Sequence, residues 1–291
     1  VEAAIAALPS LYSLDFRGLY LSQREVLQLT ASLETSRQLR LTSADVANNR
    51  LGGDSMDGLL KALLAQKVQF LDVSWNCLGR ASMAALEGPL QAPGTVISLL
   101  DLSCNDLGDA GATALAAAMP RSHSLRRLRL GGNRIGSEGG HALARALPCT
   151  KLEGLVLERN YLGPKGVSAL AGVLLPADAP QSQDRSCGLL SLHLAVNRAR
   201  DEGAEAFAEA LGGQGFLPKL EVLDLGGNLI SDVGACALAQ ALSKQGLELQ
   251  RLGLARNKLS SVAGERLAEA VEAGSNSSIQ AIEMDGNEQL P

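Results

Sequence analysis

Ser191, His193 and Asp224 are the residue types that hydrolytic chemistry needs. A serine hydroxyl, an imidazole base and a carboxylate that orients the base make a nucleophile for acyl transfer, provided each reaches the next and oxyanion donors face the serine. The surrounding sequence argues against that use. Ser191 lies in the alternating run Leu190-Ser191-Leu192-His193-Leu194, with no Gly-x-Ser-x-Gly elbow, so it would have to reach His193 along one strand. A hydrolase is therefore only a remote alternative. His123 and His141 have no ligand-type companions at metal-binding spacing, so no zinc site is expected. The run Gly131 to Gly136 is glycine-rich but lacks the Gly-Lys-Ser/Thr of a phosphate loop, and no cofactor is expected.

The five cysteines, Cys77, Cys104, Cys149, Cys187 and Cys236, are odd in number and contain no C-x-x-C pair. They predict a reducing compartment, the cytoplasm, with the nucleus or a cytoskeletal association as variants. A single sequon at Asn276 does not outweigh this. Cys104 is expected to be exposed and chemically inert.

The chain has 291 residues, 46% of them hydrophobic, and a net charge of −5. That is enough apolar matter for a sizeable core, and the acidic balance disfavours tracking a nucleic-acid backbone. No apolar run reaches the roughly 18 residues of a membrane span, so neither nucleic acid nor membrane is an expected partner. The first residue is Val1 and no signal-peptide pattern follows it, which suggests a piece of a longer protein.

What positions these residues is a repeat. The pattern L-x-x-L-x-L-x-x-N-x-L is clearest at Leu220, Leu223, Leu225, Asn228 and Ile230 and recurs along nearly the whole chain. Successive anchor asparagines from Asn49 to Asn287 lie 27, 29, 28, 27, 37, 31, 29 and 30 residues apart. Ten and fourteen residues beyond the asparagine come apolar pairs such as Leu143 and Leu147, or Phe207 and Leu211, the i, i+4 spacing of a helix. Each unit thus reads as strand, tight turn and helix. Parallel strands stack at about 4.8 Å while helices need roughly twice that, so the predicted fold is an α/β horseshoe with strands on the concave face and helices on the convex face.

One domain is expected over 1–291: a capping repeat at 1–40, eight repeats over 41–278, and an incomplete repeat at 279–291. The cap has Leu19 where the asparagine would be. The long interval contains a Pro- and Ser-bearing insertion at 176–187, read as a surface loop. The strand-like Ile279 to Met284 should leave a sheet edge that either continues into more chain or meets a partner.

The segment Leu220 to Leu242, LEVLDLGGNLISDVGACALAQAL, closely resembles the ribonuclease-inhibitor-like class of leucine-rich repeats. That class includes ribonuclease inhibitor, the sensor portions of NOD-like receptors and the Ran GTPase-activating protein. The resemblance covers residues 11 to 289 and implies the horseshoe fold and a scaffold or sensor module that binds another protein on its concave face. It also implies a small-GTPase regulator as the alternative. The chain departs from ribonuclease inhibitor in its few cysteines and from the Ran activator in lacking an acidic C-terminal tail.

Not an enzyme but a binding surface is therefore the main expectation. Four residues before each asparagine the frame places an outward row that begins Asp15, Asp45, Asp72, Asp101 and continues with Arg129. Carboxylates about 5 Å apart repel by roughly 0.8 kcal/mol in water and roughly 3 kcal/mol at an effective dielectric of about 20, so the row costs stability unless a cation covers it. Arg129 is expected to pair with Asp101; Arg127, and Arg159 one repeat on, remain for a partner. Trp75, the only tryptophan, and Phe70 should emerge on the same face as the apolar centre of a patch rimmed by Asp72, Asp101, Arg127 and Arg129.

Overall fold

The computed structural model describes residues 11–36, 41–175, 187–213, 219–244, 246–273 and 278–287. The insertion at 176–187, Cys187 excepted, lies outside them, as do the sequon asparagine and the first ten residues of the capping repeat. The chain forms two compact units, Val1–Asn133 with Thr150–Leu152, and Arg134–Cys149 with Glu153–Pro291. Both are built from the predicted strand-turn-helix repeat of a leucine-rich-repeat solenoid.

The first unit contains β1 (Ser13–Asp15), α1 (Gln23–Thr35), β2 (Ser43–Asp45), α2 (Asp54–Ala65), β3 (Phe70–Asp72), α3 (Ala81–Gln91), β4 (Leu99–Asp101), α4 (Gly108–Ala118) and β5 (Arg127–Arg129). Its strands are parallel and pair in sequence order, with Leu14, Ala44, Leu71, Leu100 and Leu128 in one register row. All five are buried, so the residues on either side of them point away from the core. Helix α1 starts with a capping box at Ser22-Gln23-Arg24-Glu25. The Glu25 backbone N–H donates to Ser22 Oγ (3.3 Å) and the Ser22 N–H to Glu25 Oε2 (2.8 Å).

The second unit contains α5 (Ser137–Ala146), β6 (Gly154–Val156), α6 (Gly163–Gly172), β7 (Ser191–His193), α7 (Arg200–Leu211), β8 (Val222–Asp224), α8 (Asp232–Leu242), β9 (Arg251–Gly253), α9 (Ser261–Glu272) and β10 (Ala281–Glu283). Its strands are again parallel and sequential. Helices approach closely where glycine replaces a side chain: a Cβ on Gly166 would lie 3.2 Å from Ser137 Cα, and one on Gly234 would lie 2.9 Å from Ala204 Cβ. The apolar helix pairs expected from the sequence are buried, except that Val271 is 39% exposed. Val271 sits on the last described helix, where with Leu267, Ile279, Ile282 and Met284 it lines an open apolar cleft beside β10.

The anchor asparagines are buried and do the structural work assigned to them. The side-chain oxygen of Asn228 accepts from the backbone N–H groups of Asn197 (2.9 Å) and Ala199 (3.1 Å), and its amide donates to Leu194 O (2.9 Å) and Gly226 O (3.3 Å). Asn76 likewise accepts from Asn49 and Leu51 N–H and donates to Val46, Val73 and Ser74 carbonyls. These turn groups have no strand partner, and a buried unpaired backbone group is costly. Each asparagine therefore closes its own turn and that of the repeat before it.

A candidate protein-binding face

In the first unit, strand alternation turns the first and third residue of every strand to the solvent face. The third residues, Asp15, Asp45, Asp72, Asp101 and Arg129, form one register row, and the first residues, Ser13, Ser43, Phe70, Leu99 and Arg127, form another. Both rows fall where the repeat frame predicted.

The aspartates carry two jobs, one per oxygen. One oxygen of each accepts the backbone N–H two residues on: Arg17 at Asp15 (3.0 Å), Ala47 at Asp45 (3.0 Å), Ser74 at Asp72 (2.9 Å) and Ser103 at Asp101 (2.9 Å). These are local turns that fix the chain as it leaves the strand. The second oxygen of Asp45, Asp72 and Asp101 meets a cation. Arg17 Nε donates to Asp45 Oδ2 at 2.8 Å, and its Nη2 lies 2.6 Å from Asp45 Oδ2 and 2.9 Å from Asp72 Oδ2. The Asp45 hydrogen bond, then the Asp45 and Asp72 charges, raise the pKa of Arg17 above its ordinary value, so it is a permanent cation.

The cation that the row was expected to require comes from the chain itself at Asp45 and Asp72. Arg17 escaped the sequence reading because it lies in the capping repeat, off the leucine pattern. The signal was present nonetheless: the same column reads Ala47, Ser74 and Ser103 in the next repeats, so an arginine there stands out. Asp101 and Arg129 do pair, at 3.4 Å, but Asp101 is only 8% exposed and is not a free rim charge. Arg127 is exposed beside Leu99 in the register.

Trp75 is 63% exposed and Phe70 is 48% exposed. Neither ring folds down onto the leucines. Trp75 stands in the turn after β3 at φ 55, held by its N–H donating to Ser103 O at 2.9 Å. The same column has Gly18, Asn48, Cys104 and Gly132, all at positive φ, so the left-handed turn belongs to the repeat. Trp75 places the bulkiest side chain of that column there. Cys104, expected to be exposed, is only part-exposed; a Cβ on Gly132 would lie 2.8 Å from its Sγ, so the glycine leaves the thiol its place.

Arg159 belongs to the second unit, exposed in the turn after β6 at φ 54. In that unit His193 Nδ1 lies 3.9 Å from Glu158 Oε1 and 3.9 Å from Asp224 Oδ2. Burial pushes the Asp224 carboxyl up, but the nearby His193 imidazole and the hydrogen bond from the Gly226 N–H (2.9 Å) outweigh it and hold the pKa below its ordinary value. Ser191 is two residues along β7, about 6.6 Å by strand rise, beyond hydrogen-bond reach of the imidazole's carboxylate-facing side. The histidine is turned toward two carboxylates rather than poised on a serine.

Among the described residues no helix is long and apolar enough to cross a membrane. The family description "Leucine Rich repeat" matches residues 97–116, 121–144 and 216–239. The chain is 33% identical over 183 residues to Protein NLRC5 of Homo sapiens, an alignment covering 55% of this chain and 9% of that protein. It is 30% identical over 189 residues to the ribonuclease inhibitor of Sus scrofa, covering 64% and 39%. It is also 30% identical over 254 residues to the Tonsoku-like protein of Bos taurus, covering 84% and 18%. The chain therefore spans well under half the length of these relatives. An internalin from Listeria monocytogenes shares the fold, with TM-score 0.52 and 17% identity over 100% of this chain and 65% of the other. Repeat, asparagine ladder and relatives agree: the chain is a leucine-rich-repeat protein of the ribonuclease-inhibitor-like class.

Proposed function

We propose that this chain is a protein-interaction module and that its first unit binds a partner protein on the solvent face of the sheet. Trp75 and Phe70 form the apolar centre, and Arg127, Arg129, Asp45 and Asp72 the polar surround. The observation that carries this reading is the indole of Trp75, 63% exposed in the turn after β3. Tryptophan flanked by arginine is the composition of interface hot spots. The pig relative is by its name an inhibitor of a ribonuclease, which supports a binding role for the shared repeat.

Arg17 changes the electrostatic part of the reading. With Asp45 and Asp72 already bridged, the surround is of mixed sign, so apolar contact at the centre outweighs long-range steering. The test is affinity capture with the wild-type chain beside Trp75→Ala and an exposed helix variant, Glu209→Ala, each first shown to be folded. Proteins retained by wild type and Glu209→Ala but lost with Trp75→Ala support the reading. Identical capture by all three overturns it.

A further inference from the structure

We propose that Glu158, His193 and Asp224 form a binding site for a divalent transition-metal ion of the zinc class on the solvent face of the second unit. One ligand atom from each, an imidazole nitrogen and two carboxylate oxygens, can be chosen so that all three lie within 4.8 Å of one another. His193 Nδ1 is 3.9 Å from a carboxylate oxygen on either side. Nitrogen and oxygen ligands bind zinc at about 2.0–2.2 Å, so in a tetrahedral site they sit about 3.3 Å apart. The histidine–carboxylate pairs must close by about 0.6 Å and the widest pair, up to 4.8 Å apart, by as much as about 1.5 Å, which a rotation of the half-exposed Glu158 side chain can supply.

The fold delivers these groups for identifiable reasons. His193 and Asp224 are register partners on adjacent parallel strands, so their side chains rise side by side. Glu158 follows Val156, the register partner of His193 on its other side, by two residues. It occupies the repeat column that in the first unit holds Arg17. Where that unit places a guanidinium among aspartates, this one places a third ligand-type group. The members of the column that follow His193 and Asp224 are Ala195 and Gly226, too small to cover the cluster, which leaves open positions for water or for a side chain of a bound protein.

Part of the site is already held in place. Asp224 Oδ1 accepts the Gly226 N–H at 2.9 Å, which orients the carboxylate and leaves Oδ2 toward His193. A hydrogen-bonded ligand of this kind is what outer-shell support of a metal site looks like. The neighbouring row position is Gly253, where a Cβ would lie 2.6 Å from Asp224 Oδ1; any other residue would displace the carboxylate. The mixed nitrogen and carboxylate set with open positions suits zinc, cobalt or nickel rather than calcium or magnesium, which take oxygen.

The test is titration of the full chain, kept reduced with a phosphine, with Zn2+ by calorimetry and with Co2+ by absorption. One ion per chain should bind, with a cobalt spectrum free of thiolate charge-transfer bands. His193→Ala, Asp224→Asn and Glu158→Gln should each weaken binding by more than about tenfold. Circular dichroism checks the fold, and Glu158→Gln, in an exposed turn, guards against a variant that merely unfolds. No saturable binding up to about 1 mM metal, binding undiminished in His193→Ala, or a thiolate-type cobalt spectrum would each overturn the site.

Discussion

Replacing Trp75 by alanine and by glycine removes the same indole, so the covered area lost is common to both and their difference isolates the backbone. Trp75 sits at φ 55, a left-handed conformation that costs any residue with a Cβ about 1–2 kcal/mol. Glycine escapes that cost but loses about 0.5–1 kcal/mol to the greater freedom of its unfolded chain. Trp75→Gly should therefore be more stable than Trp75→Ala by about 0.5–1 kcal/mol, the reverse of the order in a helix or strand. Because 63% of the residue is exposed, the buried remainder of a side chain of roughly 150–250 Å² is worth at most about 1–2 kcal/mol, and both variants should fall below wild type by no more than that. Urea unfolding measures the three stabilities. Both variants should lose partner affinity alike, by roughly thirtyfold or about 2 kcal/mol. A Trp75→Ala protein more stable than Trp75→Gly would refute the backbone argument. Unchanged affinity in both would remove the indole as anchor.

Asn228→Ala orphans the N–H groups of Asn197 and Ala199 and should cost about 2–4 kcal/mol; hydrogen exchange should quicken at residues 197 and 199, and an unchanged melting temperature would contradict the ladder. Arg17→Met should lower stability by less than about 1 kcal/mol at low salt, because the pair is exposed, and by less still at high salt; urea unfolding at two ionic strengths decides, and a loss that grows with salt rejects the clamp. The folded pKa of Asp224 is lowered from its ordinary 3.8, so its contribution is complete above that pH and disappears as pH falls through the lower folded value. Acid unfolding followed in chelator should accordingly be less steep below pH about 4 for Asp224→Asn than for wild type.

The strands and turns were legible because a side chain buried in every repeat leaves a periodic trace. Leu71, Leu100 and Asn105 recur at fixed offsets whatever the surface does. Trp75 and Phe70 were legible for the same reason, since the frame assigns each position an orientation. The clamp on Asp45 and Asp72 was not, because its arginine enters from the capping repeat, where the leucine pattern is weakest. The cluster at His193 was hidden more deeply. Its three members come from three repeats, and the long interval between Asn160 and Asn197 removes any regular spacing between Glu158 and His193. His193 and Asp224 are already neighbours in the outward row of the repeat frame, but Glu158 lies two residues past that row and joins them only when the strands are laid side by side.

The asparagine ladder also gives each unit a direction. The cross-repeat bonds of these side chains run to the preceding repeat: Asn49 reaches Phe16 O and Leu21 N–H, Asn105 reaches Val73 O, and Asn287 reaches Leu254 O and Leu259 N–H. The first described repeat, with Leu19 in the anchor position, is the one with no described predecessor to serve. Peeling a repeat from the carboxyl-terminal side strips the closure from the turn before it, and the damage passes on. Peeling one from the amino-terminal side leaves each remaining turn closed by its own asparagine. Pulled from its two ends, the same structure should unravel in sequence from one and give way less readily from the other.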